Sequence, residues 1–268
     1  MKSIKTIIKE HYESFYLICR LSLYELKQAY AGNALGILWV FLNPFTQIGV
    51  YWLVFGLGIR GGAPVNGVPY FVWLVCGLIP WFFISASISQ GSNSIYSRLN
   101  TVSKMNFPLS VIPTYVVISQ LYTHCVLVIL MLMISLISQG WHIINIFTLL
   151  YGMFAVTVFL IALGFITSTL STMLRDIHLL IQSITRMLFF LTPVFWVPKE
   201  NMPEVFLLIV KLNPFYYILE IYRGAVAYGQ SSIIFSGYTL YFWGMVIVLF
   251  VVGSILHIKF RKQFVDYL

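Results

Sequence analysis

Apolar runs of about twenty residues, separated by short clusters of charge, recur along the chain and limit what it can fold into. A helix of that length spans roughly 30 Å, the thickness of a bilayer core. Only 9% of the 268 residues are charged and 60% are hydrophobic, against about 25% charged in soluble domains. No water-soluble domain could hide so much apolar surface, so the expectation is an all-α membrane protein.

The net charge of +8 does not point to nucleic acid. Most Lys and Arg residues sit at the termini and in short connections, the footprint of topology and anionic lipid. Cys19, Cys76 and Cys125 form no CxxC and lie near no His cluster, so they read as small buried apolar residues rather than a disulfide framework or metal site. Lys2, Lys5 and Lys9 resemble the basic start of a signal peptide, but no uninterrupted apolar stretch follows before Arg20, and no cleavable signal is expected.

At 100° per residue, Ile4, Ile7, Ile8, Phe15, Ile18, Cys19 and Leu26 share one face of a helix over residues 2–30. Lys2, Lys5, Lys9, Glu10, Glu13, Arg20 and Lys27 share the other. This predicts an amphipathic helix on the membrane surface. Glu25 falls off the polar face, so an end or bend is expected near it.

Six spans are expected over residues 34–59, 70–96, 109–138, 146–173, 178–197 and 233–258, in one domain without internal repeats. Pro44 can kink the first, where Asn43, Gln47 and Tyr51 form an i, i+4, i+8 stripe that should face protein or water. The second half of span 2 is rich in Ser, Asn and Gln, and it should extend beyond the hydrocarbon. Residues 98–108, RLNTVSKMNFP, read as a basic connection with a short helix. Arg175 and Asp176 mark a second, very short one.

Residues 198–230 are the most unusual stretch. The apolar pieces 205–212 and 215–228 are broken by Asn213 and Pro214 and reach only about 12 and 21 Å at the α-helical rise. A re-entrant pair of half-helices on the far side is expected, with a surface amphipathic hairpin as the alternative. For orientation, Lys2, Lys5, Lys9, Arg20, Lys27, Arg98, Lys104, Arg175, Lys259, Arg261 and Lys262 fall on one side. Arg60, Lys199, Lys211 and Arg223 fall on the other. Eleven against four predicts that both termini are cytoplasmic.

No GxxxxGK[ST] occurs, so the chain lacks the phosphate-cradling loop of a P-loop ATPase and is not expected to bind ATP or Mg²⁺ itself. GxSxG and HExxH are absent too, and no carboxylate lies in the middle of a span, which counts against a membrane enzyme. An ion-driven secondary transporter would bring inverted repeats and intramembrane carboxylates, neither of which is visible. Arg186 is the exception, about eight residues into span 5 with Gln182 nearby. A guanidinium there either engages a phosphate or snorkels to headgroups. His124 reads as a packing residue. Glu220 and Arg223, at i and i+3, form either a helix pair or part of an external gate with Asn213 and Pro214. Trp73, Trp81, Phe82 and Phe83, along span 2, suit interface packing or the passage of a sugar chain.

The segments LSLYELKQAYAGNALGILWVFLNPFTQIGVYWLVFGLGI, GLIPWFF, KMNFPLSVIP, STLSTMLRDIHLLIQSITRMLFFLTPVFW and LNPFYYILEIYRG, in that order, resemble the ABC-2 type permeases that export polysaccharides. Within that family the nearest resemblance is to permeases that translocate teichoic acid, with export of O-antigen or capsule by the same architecture as the alternative. The resemblance implies a homodimer in a bacterial cytoplasmic membrane, with two copies of a separate ATPase that binds ATP and Mg²⁺. It also implies a polymer carried on undecaprenyl diphosphate as substrate. By position, Arg98, Leu99, Val102, Lys104, Met105 and Phe107 correspond to the family's coupling helix, and Arg175 and Asp176 to its second ATPase contact. Asn43, Gln47, Tyr51, Trp73, Trp81, Phe82, Gln182, Arg186 and Phe190 correspond to the channel-lining spans, and residues 198–230 to the external re-entrant helices.

Overall fold

The structure is a computed structural model that describes residues 2–99, 107–140, 144–198, 202–261 and 263–264. Among these residues the regular structure is helical, apart from one isolated bridge between Val65 and Val68. Helix α1 (Lys2–Glu13) and α2 (Phe15–Ala31) form the surface element. They are separated only at Ser14, and the backbone bonds Ser14 N to Glu10 O and Ile18 N to Ser14 O carry the helix across the junction. The expected break near Glu25 does not occur. Ile7 and Ile18 are buried against the bundle, whereas Ile8, Tyr12, Phe15 and Tyr16 point away from it. The apolar residues of this element therefore divide between two surfaces rather than sharing one.

Helix α3 (Trp39–Tyr51) follows a 3₁₀ turn at Gly36–Leu38 and continues as a π-helical segment, Trp52–Ile59. Helix α4 (Tyr70–Ser92) ends four residues earlier than expected, and Tyr96–Arg98 form a 3₁₀ turn. Helices α5 (Val111–Gln139) and α6 (Ile146–Met173) match their expected spans closely. Asn145 caps α6 by accepting from Thr148 N at 3.1 Å. Helix α10 (Gly237–Phe260) closes the chain after a 3₁₀ turn at Ser232–Phe235.

The expected fifth span, 178–197, differs most. Helix α7 runs from Arg175 to Leu191, 17 residues or about 25 Å. It starts one residue after α6, with Leu174 alone between them in extended backbone, so Arg175 and Asp176 form its first turn rather than a loop. It stops because Pro193 forces the residue before it out of the helical region: Thr192 sits at φ −79°, ψ 133°. The chain continues towards the far end in non-helical backbone, whose carbonyls need partners inside the bundle. Tyr70 Oη donates to Phe195 O at 2.6 Å, and Arg223 Nη2 donates to Pro193 O and Val194 O at 2.6 and 3.0 Å.

Five helical stretches have the length and apolarity of a membrane span: Gly36–Ile59, α4, α5, α6 and α10. A sixth candidate is the pair α8 (Glu204–Leu212) and α9 (Pro214–Arg223, prolonged as a π-helical turn to Tyr228), bent by 82°. The break is written in the sequence. Pro214 occupies the first turn of α9, and the Asn213 side chain accepts from Phe215 N at 3.0 Å while donating to Thr192 Oγ1 at 2.7 Å.

Residue pairing fixes how the helices run. Helices α4 and α7 are antiparallel, with Ser92 bonded to His178 and Trp81 packed on Phe189. Helices α6 and α10 are parallel, with Tyr151 bonded to Trp243 and Thr169 to His257. The near end of the bundle holds α1, α2 and the last turn of α10; the far end holds the 60–69 connection and the end of α9. The main core lies between α4, α6 and α9, where Leu74, Leu78, Ile79, Val156, Tyr217, Ile218 and Ile221 are almost fully buried. In a bilayer such close approach depends on small residues. A Cβ on Gly77 would lie 2.6 Å from Val194 O and 2.9 Å from Arg223 Nη2, and one on Gly152 would lie 2.7 Å from Ile221 Cγ2.

Candidate functional site

At the near end, the surface element grips both flanks of the connection between α4 and α5. Glu25 pairs with Arg98 on the leading flank, and Ser110 on the trailing flank donates to Glu10. The second oxygen of Glu10 accepts from Arg261 Nη1 at 2.7 Å, which ties in the last turn of α10. His11 is the third contact. Its Nδ1 donates to Ile7 O at 2.8 Å, which leaves Nε2 to accept from Thr114 Oγ1 at 2.7 Å. Burial lowers the His11 pKa, and the Ile7 bond and the Glu10 charge oppose that shift in part.

Of the residues expected to contact an ATPase, Arg98 and Leu99 end the Tyr96–Arg98 turn. Leu99 is buried with Ile18, Val111, Ile112 and Tyr115, and Phe107 packs on the edge of that cluster. Val102, Lys104 and Met105 lie outside the described residues. Arg175 and Asp176 are exposed, with the Arg175 guanidinium 4.7 Å from the centre of the Tyr96 ring. The carboxylate of Asp176 also suits the positive end of the α7 helix dipole.

The polar stripe on α3 divides. Asn43 and Gln47 line a cleft of about 380 Å³ with Phe82 on α4 and Thr123 on α5. Gln90 and Gln120, bonded to each other at 2.9 Å, complete its polar wall. Tyr51 instead packs on Phe189 and Phe195, at ring distances of 5.4 and 6.3 Å. Trp73 and Trp81 are core residues, 3% and 4% exposed.

On α7, Gln182 bonds back to His178 at 2.9 Å. Arg186 is exposed, with Ser183 Oγ as its hydrogen-bond partner at 3.3 Å, and Phe190 is exposed one turn further on. At the far end, Glu220 and Arg223 form an ion pair at 3.1 Å. Arg223 is itself 1% exposed, with its guanidinium 3.6 Å from the Trp73 ring centre. It acts as a buried staple between α9, α4 and the non-helical segment 192–197. His124 stacks on Phe83 and bonds to Tyr222 Oη at 2.7 Å, as expected for packing.

Sequence reading missed the grip of Glu10, His11 and Ser110 on the near end. It did hold one trace of it: Glu25, the acid out of place on the amphipathic wheel, is the partner of Arg98.

Curated relatives agree in length and character. An O-antigen export system permease protein RfbA from Myxococcus xanthus is 29% identical over 219 residues, covering 81% of this chain and 82% of that protein. Another RfbA, from Klebsiella pneumoniae, is 26% identical over 260 residues, covering 95% of each. Residues 16–227, from the start of α2 to the π-helical turn that prolongs α9, match the ABC-2 type transporter family. This multi-pass membrane chain therefore belongs to the ABC-2 type transporter family.

Proposed function

We propose that the chain is the permease subunit of an ATP-driven exporter of lipid-linked polysaccharide, working as a homodimer with two copies of a cytoplasmic ATPase. The observation that carries this reading is the polar surface on α3 and on α7 that a single chain leaves exposed. Asn43 and Gln47 on α3, with Ser183 and Arg186 on α7, are exposed on helices that also expose Phe45, Leu53, Leu180 and Met187. A polar strip on a membrane helix has to meet protein or water. A second copy facing it would enclose a groove that one bundle is too small to form.

In this reading the near end is cytoplasmic, the 98–108 connection docks in the ATPase, and Arg175 and Asp176 make a second contact. ATP and Mg²⁺ are bound by the partner, whose cycle biases the permease between inward-open and outward-open states. The names of the relatives favour an O-antigen-like polysaccharide over teichoic acid. The shared chemistry is a glycan on a lipid diphosphate.

The test is to purify the chain with its neighbouring ATPase and measure ATP hydrolysis against lipid-linked glycans. Stimulation by polysaccharide-bearing lipid is expected. Charge reversal at Lys104, or deletion of the 98–108 connection, should abolish transport while the membrane fold persists. Transport down an ion gradient without any ATPase would sink the reading.

A further inference from the structure

A second cleft, of about 550 Å³, lies at the far end, and none of the assignments above uses it as a site. One wall is the end of the π-helical segment of α3, Phe55, Ile59 and Arg60. The other is Phe190 with Phe195, Trp196 and Val197, and Phe206 of α8 closes it. The π-helical segment matters here. Its wider turn draws Arg60 N to Phe55 O at 3.2 Å and Gly62 N to Gly56 O at 2.8 Å, a local distortion of a kind often found at functional positions.

Two features indicate the ligand. The first is a cation without an anion: among the described residues Arg60 has no carboxylate partner, and its buried Nε has no acceptor. The Tyr70 ring lies 5.2 Å from its guanidinium carbon. A guanidinium is shaped for the oxygens of a phosphate. The second is a set of fixed aromatic faces. Trp196 is locked by its bond from Nε1 to Phe190 O at 2.9 Å and packs on Phe206 at 5.8 Å, while Phe55 packs on Phe195 at 4.4 Å. Such faces suit the CH-rich faces of sugar rings, and plain phospholipid headgroups carry no ring to stack on them.

We infer that this cleft seats the diphosphate–sugar junction of a lipid-linked glycan at the far face of the membrane, with Arg60 holding the phosphate and the packed pair Trp196 and Phe206 forming one wall against the first sugar. The inference rests on the export reading and places the cleft after translocation, where the lipid head has arrived in the outer leaflet between α3 and α7.

The experiment uses the intact permease–ATPase complex in nanodiscs with a photo-crosslinking amino acid in place of Phe206. The probe is a radiolabelled polyprenyl diphosphate disaccharide. Labelling is expected at residue 206, falling about tenfold in an Arg60→Gln background and partly retained in Arg60→Lys. Excess phosphatidylglycerol should not compete. Labelling unchanged by Arg60→Gln overturns the proposal, as does full competition by phosphatidylglycerol, which would make the cleft a general anionic-lipid seat. Should Arg60→Gln fail to assemble, Trp196→Ala carries the same test, with loss of labelling expected and wild-type labelling fatal. If wild-type ATPase responds to lipid-linked glycan but labelling ignores Arg60, only this inference fails. If no lipid-linked glycan stimulates the wild type, the export reading itself fails.

Discussion

Arg223 shows how much one side chain can hold. Pro193 stops α7 and frees two carbonyls inside the bundle, and the guanidinium takes both, pairs with Glu220 and lies on Trp73. Removing the guanidinium costs on the order of 3 kcal/mol, because two carbonyls stay inside the bundle without a donor while the partly exposed Glu220 can turn to water. Arg223→Ala should therefore lower the melting temperature of the purified protein sharply. Gly77→Ala should lower it less, by about 1–3 kcal/mol of stability, since the new methyl displaces Val194 O or the guanidinium. Equal, negligible shifts in the two variants would show that the staple carries no load. His11 adds a pH dependence. Its folded pKa is depressed below the ordinary 6.5, so its contribution is full above 6.5 and declines as pH falls from there through the folded value. The protection factors of α1 amides, taken relative to the intrinsic exchange rate at each pH, should fall from about pH 7.5 to about pH 5.5, and His11→Gln should remove that fall.

At the scale of elements, α1 and α2 together behave as a strap. Glu25 holds Arg98 before the connection and Ser110 after it donates to Glu10, so in the proposed exporter movement of the connection would be passed to the surface helix. Glu25→Arg alone should uncouple ATP hydrolysis from transport several-fold. The double variant Glu25→Arg/Arg98→Glu should recover most of the coupling, because the pair is only about a quarter exposed and its sign, not its order, is what matters. Failure of the swap together with wild-type coupling in the single variant would remove the strap from the mechanism. A span boundary is a weaker signal than a span. The apolar run 178–197 reads as one helix, and the effect of Pro193 appears only when the backbone beyond it finds Arg223 and Tyr70 as partners.

The whole molecule presents an asymmetric bundle, dense around α4, α6 and α9 and open along α3 and α7. Arg186 sits on the open side, hydrogen-bonded to Ser183. Arg186→Ala should weaken the ATPase response to lipid-linked glycan while leaving basal hydrolysis and assembly intact. An unchanged response would place it among headgroup-snorkelling residues. The sequence by itself determined the membrane as solvent, the number and order of apolar segments and the broken pair at Asn213 and Pro214. It also shows that the GxxxxGK[ST] pattern does not occur. Those are properties of local composition and backbone chemistry. The tertiary structure alone decided which aromatics are core, as with Trp73 beneath Arg223, and which line a cleft, as with Phe190 and Trp196. It also decided that Glu25 reaches 73 residues along the chain to Arg98. Hydropathy reports how apolar a helix is, but burial and pairing depend on what the rest of the chain brings opposite each face.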